Sequence, residues 1–514
     1  MSQAPDSSAA PPVVHRGLVT VSIMLATIMQ ALDTTIANVA LPYMQGSLSA
    51  AQDQITWVLT SYIVAAAIMT PVTGWVTGRF GLKRVFLVSV AGFTVASMLC
   101  GFATSLGEMV VFRLLQGVFG AALVPLSQSV LLDINPKERQ GQAMAIWGAG
   151  IMVGPILGPT LGGWLTFNYN WRWVFYINLP VGILAFLGIL LFVRDTRRER
   201  GQRFDFLGFA LLSLGVGALQ IMLDRGERND WFGSLETVIE CALALCGFWM
   251  FTLWTSIADR PFFNPALLRD RNFVGSCILI FIVGIILYAT LALLPPMLQG
   301  LMDYPVTTAG LVMMPRGIGT MLAMLAVGRL IGRVDTRLLL LAGLAVTAFS
   351  LYQMTGYSLQ MDWWPIVTAG VVQGFGLGFL FVPLSTVAFA TLPPSMRAEA
   401  AGIFSLLRNV GGSIGISMVE TVADRMTQIA HASIAAQVTP FNPALRLPSV
   451  QQFWNPHTVQ GLAALNEEVT RQAAMIAYID DFKLMMIVTI VAVPLLLLLR
   501  RARPAGGGAP VVVD

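Results

Sequence analysis

The sequence predicts an all-α polytopic membrane protein of fourteen spans, arranged as two parallel six-helix halves with two helices inserted between them. Three observations carry this expectation. Apolar runs of 18 or more residues recur along a chain of 514 residues that is 56% hydrophobic and only 11% charged. A soluble domain could not bury so much apolar surface. Lys and Arg cluster in alternate gaps between these runs, and motifs of the first half of the chain return in the second.

Taken in order, the spans lie near 18–40, 55–77, 84–105, 108–132, 141–165, 173–193, 204–224, 235–257, 272–299, 307–331, 336–357, 363–391, 400–424 and 481–500. Residues 1–17 are polar and Pro-rich and read as a disordered cytoplasmic tail. The first apolar run is too long for a signal peptide and lacks a small-residue cleavage site. Residues 18–200 form the first half, 201–260 the two inserted helices, 261–500 the second half, and 501–514 a second loose tail. The external segment 425–480 is too long for a bare connection. In it Val459, Leu462, Leu465, Val469, Ala473 and Ile476 keep helical spacing, which suits a cap or a docking element.

With the N-terminus inside, 21 of the 31 Lys and Arg residues fall on cytoplasmic segments. The short external loops hold only Arg172, Arg225 and Arg228, and three arginines (Arg113, Arg316, Arg408) lie within spans. This asymmetry puts both termini in the cytoplasm. The net charge of +4 therefore reports topology, not nucleic-acid binding. The four cysteines (Cys100, Cys241, Cys246, Cys277) sit in apolar runs and form neither a metal-ligand pattern nor a disulfide framework. The chain has no Walker A sequence and no intramembrane His or Cys cluster, which argues against an ATP-driven pump and a metalloenzyme.

The repeat is explicit. "QGVFGAALVPLSQS" (116–129) returns as "QGFGLGFLFVPLSTV" (373–387), "NPKER" (135–139) as "PPSMR" (393–397), and "GRFGLK" (78–83) as "GRVDTR" (332–337). Spans 1–6 and 9–14 are thus two copies of one orientation, with spans 7 and 8 inserted. A site at the repeat interface follows.

Candidate site residues stand out as polar groups in hydrocarbon. Asp33, in "ALDTTIANVALP" (31–42), is the only charge between Arg16 and Asp53. At 1.5 Å per residue it lies roughly 10 Å below the outer boundary, and Arg113 of span 4 roughly 8 Å below the same boundary. The two are level, so a pair is expected, and Gln116 shares the Arg113 face. The pair reads either as a structural ion pair or as a proton-coupling acid with its modulator. Burial disfavours the charged carboxylate and an arginine favours it, so the two effects oppose each other there. The second copy places Leu287 at the Asp33 position and Gly370 near that of Arg113. Glu420, near the outer end of span 13, is a second proton-site candidate or an interfacial residue. Gln30, Asn38, Met29, Gln373, Arg316 and Arg408 are candidates for lining a substrate cavity, and methionines such as Met313 and Met314 suit an adaptable one.

Two glycine motifs flank this set. "GWVTGRFGLKR" (74–84) contributes Gly74, Gly78, Gly81, Arg79, Lys83 and Arg84 at the cytoplasmic turn between spans 2 and 3. "GAGIMVGPILGPTLGGWL" (148–165) sets Gly150, Gly154, Gly158 and Gly162 on one face, with Gly163 beside it and Pro155 and Pro159 on an adjacent stripe.

These motifs resemble those of the major facilitator superfamily. The 74–84 stretch is similar to its cytoplasmic-gate motif, departing from it at Gly78, where the family usually has Asp; Asp335 is the substitute weighed. Span 5 resembles the antiporter motif of drug exporters, and "RLLQGVFGAA" (113–122) the fourth-helix motif associated with proton transfer. "ALDTTIANVALP" resembles the first-helix motif of the fourteen-span drug:proton antiporters. "LQIMLDRGERNDWF" (219–232), "FFNPALLRDRNF" and "PFNP" are similar to stretches of EmrB-type multidrug exporters. The resemblance implies proton-driven export of lipophilic compounds from the cytoplasmic (inner) membrane, with no cofactor beyond the proton gradient. In a Gram-negative host it also implies a periplasmic adaptor and an outer-membrane channel. A dedicated exporter of one metabolite, such as a siderophore, is the alternative within this class; a membrane receptor or enzyme is the alternative outside it.

Overall fold

The computed structural model describes residues 16–51, 54–195, 204–259, 261–393, 396–439, 442–451, 453–455 and 458–499. Both tails, the basic group Arg197, Arg198, Arg200 and Arg203, Arg260 and His457 lie outside the described residues. Fourteen helices among those described are long and apolar enough to cross a membrane. They are α1 (Arg16–Ser47), α2 (Trp57–Phe80), α3 (Leu82–Phe102), α4 (Leu106–Ile134), α5 (Glu138–Asn168), α6 (Trp173–Phe192), α7 (Phe206–Arg225), α8 (Leu235–Ile257), α9 (Arg271–Leu301), α10 (Thr307–Leu330), α11 (Thr336–Met354), α12 (Trp363–Ala390), α13 (Arg397–Ala435) and α14 (Val459–Leu498). Helices satisfy every backbone group internally, which hydrocarbon demands.

Prolines shape the first half. Pro71, Pro125 and Pro155 each lack an N–H. Accordingly α2 passes through a 3₁₀ turn at Thr70–Val72, α4 is interrupted after Gly120, and α5 after Ile151. The turn between α2 and α3 is one residue, Gly81, at φ +92°; its counterpart between α10 and α11 uses Gly332 at φ +88°. Left-handed backbone of this kind favours glycine.

The halves meet closely at the face where the described chain starts and ends. A Cβ on Gly74 of α2 would come 2.8 Å from Glu399 Cα of α13, and one on Gly402 of α13 would come 3.0 Å from the Thr70 carbonyl. Arg397 pairs with Asp133 across the same seam at 3.0 Å. The carboxylates set against the 74–84 motif are thus Glu399 at Gly74 and Asp195 at Gly81. Asp335 instead caps α11, accepting the Arg337 N–H at 3.0 Å, because its position before the helix matches an N-cap.

The inserted pair α7–α8 packs through Gly215 and Gly247, whose backbones approach within side-chain distance. α7 touches both halves. Asp224 accepts from Thr60 of α2, and Gln220 exchanges hydrogen bonds with Ser413 of α13 at 2.8 and 3.0 Å. The outward side of α8, with Leu245, Trp249 and Ile257 exposed, is an apolar surface suited to lipid.

The segment 425–480 is largely helical. α13 continues to Ala435 and α14 starts at Val459, well before the expected 481, so the two helices extend past the apolar runs as a hairpin. At 39 residues α13 is about 58 Å long, against about 30 Å of hydrocarbon. Leu465, Val469 and Ala473 are buried, whereas Val459, Leu462 and Ile476 face outward. Arg471 donates to the Leu301 carbonyl at 3.1 Å and His431 meets Asn466 at 3.0 Å, tying the hairpin down.

Candidate functional site

Asp33 and Arg113 form an ion pair at 2.7 Å, and each is 1% exposed. The capping of α4 helps place the arginine. Ser105 accepts the Glu108 N–H, and Glu108 returns a carboxylate to the Thr104 N–H at 2.8 Å, fixing the helix start eight residues upstream. Arg113 Nη1 reaches Asp33 Oδ2 and also Gln116 Oε1 at 2.8 Å, while Nε donates to the Val58 carbonyl of α2 at 2.9 Å. The guanidinium stacks over Tyr62, 4.6 Å from the ring centroid.

The second carboxylate oxygen is also occupied. Asp33 Oδ1 accepts from Gln116 Nε2 at 2.9 Å and from Asn178 Nδ2 of α6 at 2.8 Å. Asn178 donates its other hydrogen to Ser97 Oγ of α3 at 2.9 Å, and Ser97 donates to the Phe175 carbonyl at 2.8 Å. One carboxylate therefore collects polar atoms from α4 and α6 directly, from α3 through Asn178 and from α2 through Arg113. One cation and two amides thus satisfy both oxygens of this buried carboxylate. Sequence reasoning reached Asp33, Arg113 and Gln116 and missed Asn178, Ser97 and Tyr62. The available signal was a lone asparagine in the apolar run of span 6.

α5 supplies the seat. A Cβ on Gly154 would lie 2.7 Å from the Ala31 backbone, one on Gly158 would overlap Thr35 Oγ1, and one on Gly162 would lie 3.2 Å from the Ile36 carbonyl. The glycine stripe thus holds the α1 turn that carries Asp33. Gly150 continues it against Met24, and Gly163 sits nearer Val39 with ordinary clearance. The adjacent stripe faces the other half: Ile156 approaches Gly317 of α10, and Pro159 and Thr160 approach Gly310.

The remaining candidates disperse. Gln30 is half-buried with an unpartnered Oε1, close to the core, and Asn38 is exposed. Met29 does not line a cavity. It is 0% exposed in the core of the first half, where its sulfur accepts from Thr94 at 4.0 Å, because its face of α1 turns toward α3. Arg408 is half-buried over the Phe381 ring, which stacks on Trp147 across the interface of the halves. Arg316 and Gln373 come together on Thr290, as described below. The expected equivalence of Leu287 with Asp33 fails, since Thr290 makes the contact to Gln373 that Asp33 makes to Gln116. Glu420 is exposed and keeps the company of Asp224, Glu227 and Arg228 beside α7. At the terminal face Arg79 and Arg84 are exposed, Gly78 is half-buried, Gly81 abuts Asp195, and Lys83 donates to the Leu190 carbonyl at 2.7 Å.

Comparison with known proteins agrees with this architecture. The Major Facilitator Superfamily model matches residues 23–416. The chain is 38% identical over 430 residues to the multidrug export protein EmrB of Escherichia coli (strain K12), covering 83% of this chain and 84% of that one. It is 37% identical over 473 residues to the fatty acid resistance protein FarB of Neisseria gonorrhoeae, covering 91% and 93% respectively. Among solved structures, the human organic anion transporter MFSD10 superposes with a TM-score of 0.59 at 16% identity, covering 93% of this chain and all of that one, which speaks to the fold alone. A fourteen-helix membrane chain, with a buried charge pair in its first half and this breadth of likeness to exporters, belongs to the major facilitator superfamily, among its EmrB-type multidrug export proteins.

Proposed function

We propose that this multi-pass exporter is a proton-coupled antiporter of the cytoplasmic membrane, with both termini inside, that carries lipophilic compounds outward. The observation supporting the coupling is the Asp33 carboxylate, buried and shared among a cation and two amides. Protonating Asp33 removes the charge that holds Arg113 and weakens both amide contacts at once. A proton taken up there loosens four helices, and a substrate that competes for the same groups displaces it. Arg113 is the modulator, and Gln116 and Asn178 set the carboxylate's orientation.

The hairpin of α13 and α14 supports a docking role for a periplasmic adaptor that leads to an outer-membrane channel. The gate motif and its neighbour Glu399 supply the seam that must part at the terminal face.

The test is Asp33→Asn, which mimics the protonated state. The purified variant should elute as the folded protein, lose dye accumulation driven by an imposed pH gradient in vesicles, and release no protons on substrate addition. Proton release and export at the wild-type level would move the coupling acid to Glu420.

A further inference from the structure

The second half repeats the arrangement around Asp33 with one group missing. Gln373 stands 257 residues after Gln116, and Thr290 the same distance after Asp33. Gln373 Nε2 donates to Thr290 Oγ1 at 3.3 Å, as Gln116 donates to the carboxylate. The same offset takes Arg113 to Gly370, and there an arginine arrives from the neighbouring helix instead. A Cβ on Gly370 would touch the Cβ of Arg316, 3.6 Å away, and nothing else within 4 Å.

Arg316 is 6% exposed. Its Nη2 reaches two neutral acceptors, Thr290 Oγ1 at 3.3 Å and the Leu287 carbonyl at 3.5 Å. Its Nη1 is buried with no hydrogen-bond partner among the described residues, and so is Gln373 Oε1. The titratable group within its electrostatic reach is Tyr357, whose hydroxyl is likewise buried and unpartnered. Where the first half sets a carboxylate, the second sets a hydroxyl and leaves a guanidinium donor open. A buried arginine without an anion is strongly disfavoured. The side chains one turn away on α9 and α10, including Ile286, Leu293, Val312 and Met313, belong to an apolar, methionine-rich cluster. These buried apolar neighbours suit the hydrocarbon body of a lipophilic ligand better than a free hydrated ion.

We propose that Arg316, with Thr290 and Gln373, is the receptor for the carboxylate of a lipophilic organic acid, whose anionic head takes the place that Asp33 takes in the first half. The planar guanidinium fork matches a carboxylate, and Nη1 is the donor it would engage. This assignment rests on the exporter function proposed above and adds the substrate class.

The experiment compares binding of 1-pyrenebutyrate and its uncharged methyl ester to full-length protein in detergent at neutral pH. Wild type should bind the acid more tightly than the ester. Arg316→Gln should cut the acid-over-ester preference at least about tenfold, the scale of a hydrogen bond to a charged group, and Arg316→Lys should restore part of it. Equal affinity of wild type for the two probes, no binding of the acid, or a preference that survives in Arg316→Gln overturns the proposal. The wild-type comparison uses no variant, so it decides the matter even where Arg316→Gln fails to fold. Accumulation of a cationic dye by wild-type vesicles under a pH gradient tests the exporter function separately. Dye transport without an acid preference defeats the anion site alone.

Discussion

Thr35 of α1 donates to the Gly154 carbonyl of α5 at 3.2 Å, two residues from the buried acid Asp33. The antiporter-type glycine stripe is therefore spent inside the first half, on the helix turn that presents the carboxylate. Its neighbours Ile156 and Pro159 face the second half. Motion of α5 against α10 and the position of Asp33 are mechanically joined.

Two alanine variants grade this contact. A methyl on Gly154 meets main-chain atoms of Ala31 and Leu32 at 2.7 and 2.8 Å, which cannot turn away. A methyl on Gly158 meets the Thr35 hydroxyl, which can rotate, and only one fixed atom as close, Thr35 Cβ at 2.8 Å. Gly154→Ala should cost about 1–3 kcal/mol and abolish transport; Gly158→Ala should cost less and leave part of it. Thermal unfolding in detergent with vesicle transport checks the order. The reverse order would mean that α1 and α5 are not held as described.

Asn178→Ala removes one of two amide donors to Asp33 Oδ1 and the donor that Ser97 Oγ accepts from. A stability loss of about 1–3 kcal/mol is expected, with transport reduced more than expression. Asn178→Asp should be worse, since it sets a second carboxylate against the first. Transport rates normalised to folded protein decide this; equal rates for the two variants would remove Asn178 from the site.

The ion pair predicts a non-additive cycle. Arg113→Met leaves Asp33 buried without its cation and should cost about 3–5 kcal/mol. Adding Asp33→Asn should recover most of that loss without recovering pH-driven transport. Thermal unfolding of the two single variants and the double variant measures the coupling. A double variant no more stable than Arg113→Met would show that the two residues do not act as a unit.

The hairpin permits a cleaner deletion than the whole external segment. Residues 459–475 belong to α14 and are partly buried, so removing them would unseat a membrane helix. Replacing 436–458 with a short Gly/Ser linker spares both α13 and α14. Dye binding by the purified protein should persist while export from whole cells fails. Loss of dye binding would assign the segment to the pocket.

How much of this was visible in the sequence depended on charge. Asp33 and Arg113 stood out because a lone charge in an apolar run is costly, and counting 1.5 Å per residue made them level. Asn178 and Ser97 are uncharged, so their only mark was the weaker one of a lone asparagine in the apolar run of span 6. The repeat predicted the two halves, yet an offset judged from several motifs matched Leu287 to Asp33, while the packing of Gln373 selects Thr290. Hydropathy located fourteen spans, and the helical spacing from Val459 marked the stretch that joins the last apolar run in one helix, since hydropathy reports where an apolar run begins and not where a helix does. The surplus cation Arg316 was legible as intramembrane; its missing counter-charge required coordinates.

α13 is one continuous rod of 39 residues. Its foot carries Arg397, Glu399 and Gly402 in the seam between the halves, and its other end runs past the apolar stretch to Ala435. A rod held at its foot, with its far end tied to α14 through His431 and Asn466, is a lever. A tilt of a few degrees that parts the seam sweeps the tip through several ångström on the far side of the membrane. Anything seated on that end would feel whether the seam between the halves is closed, without any signal passing through the substrate path.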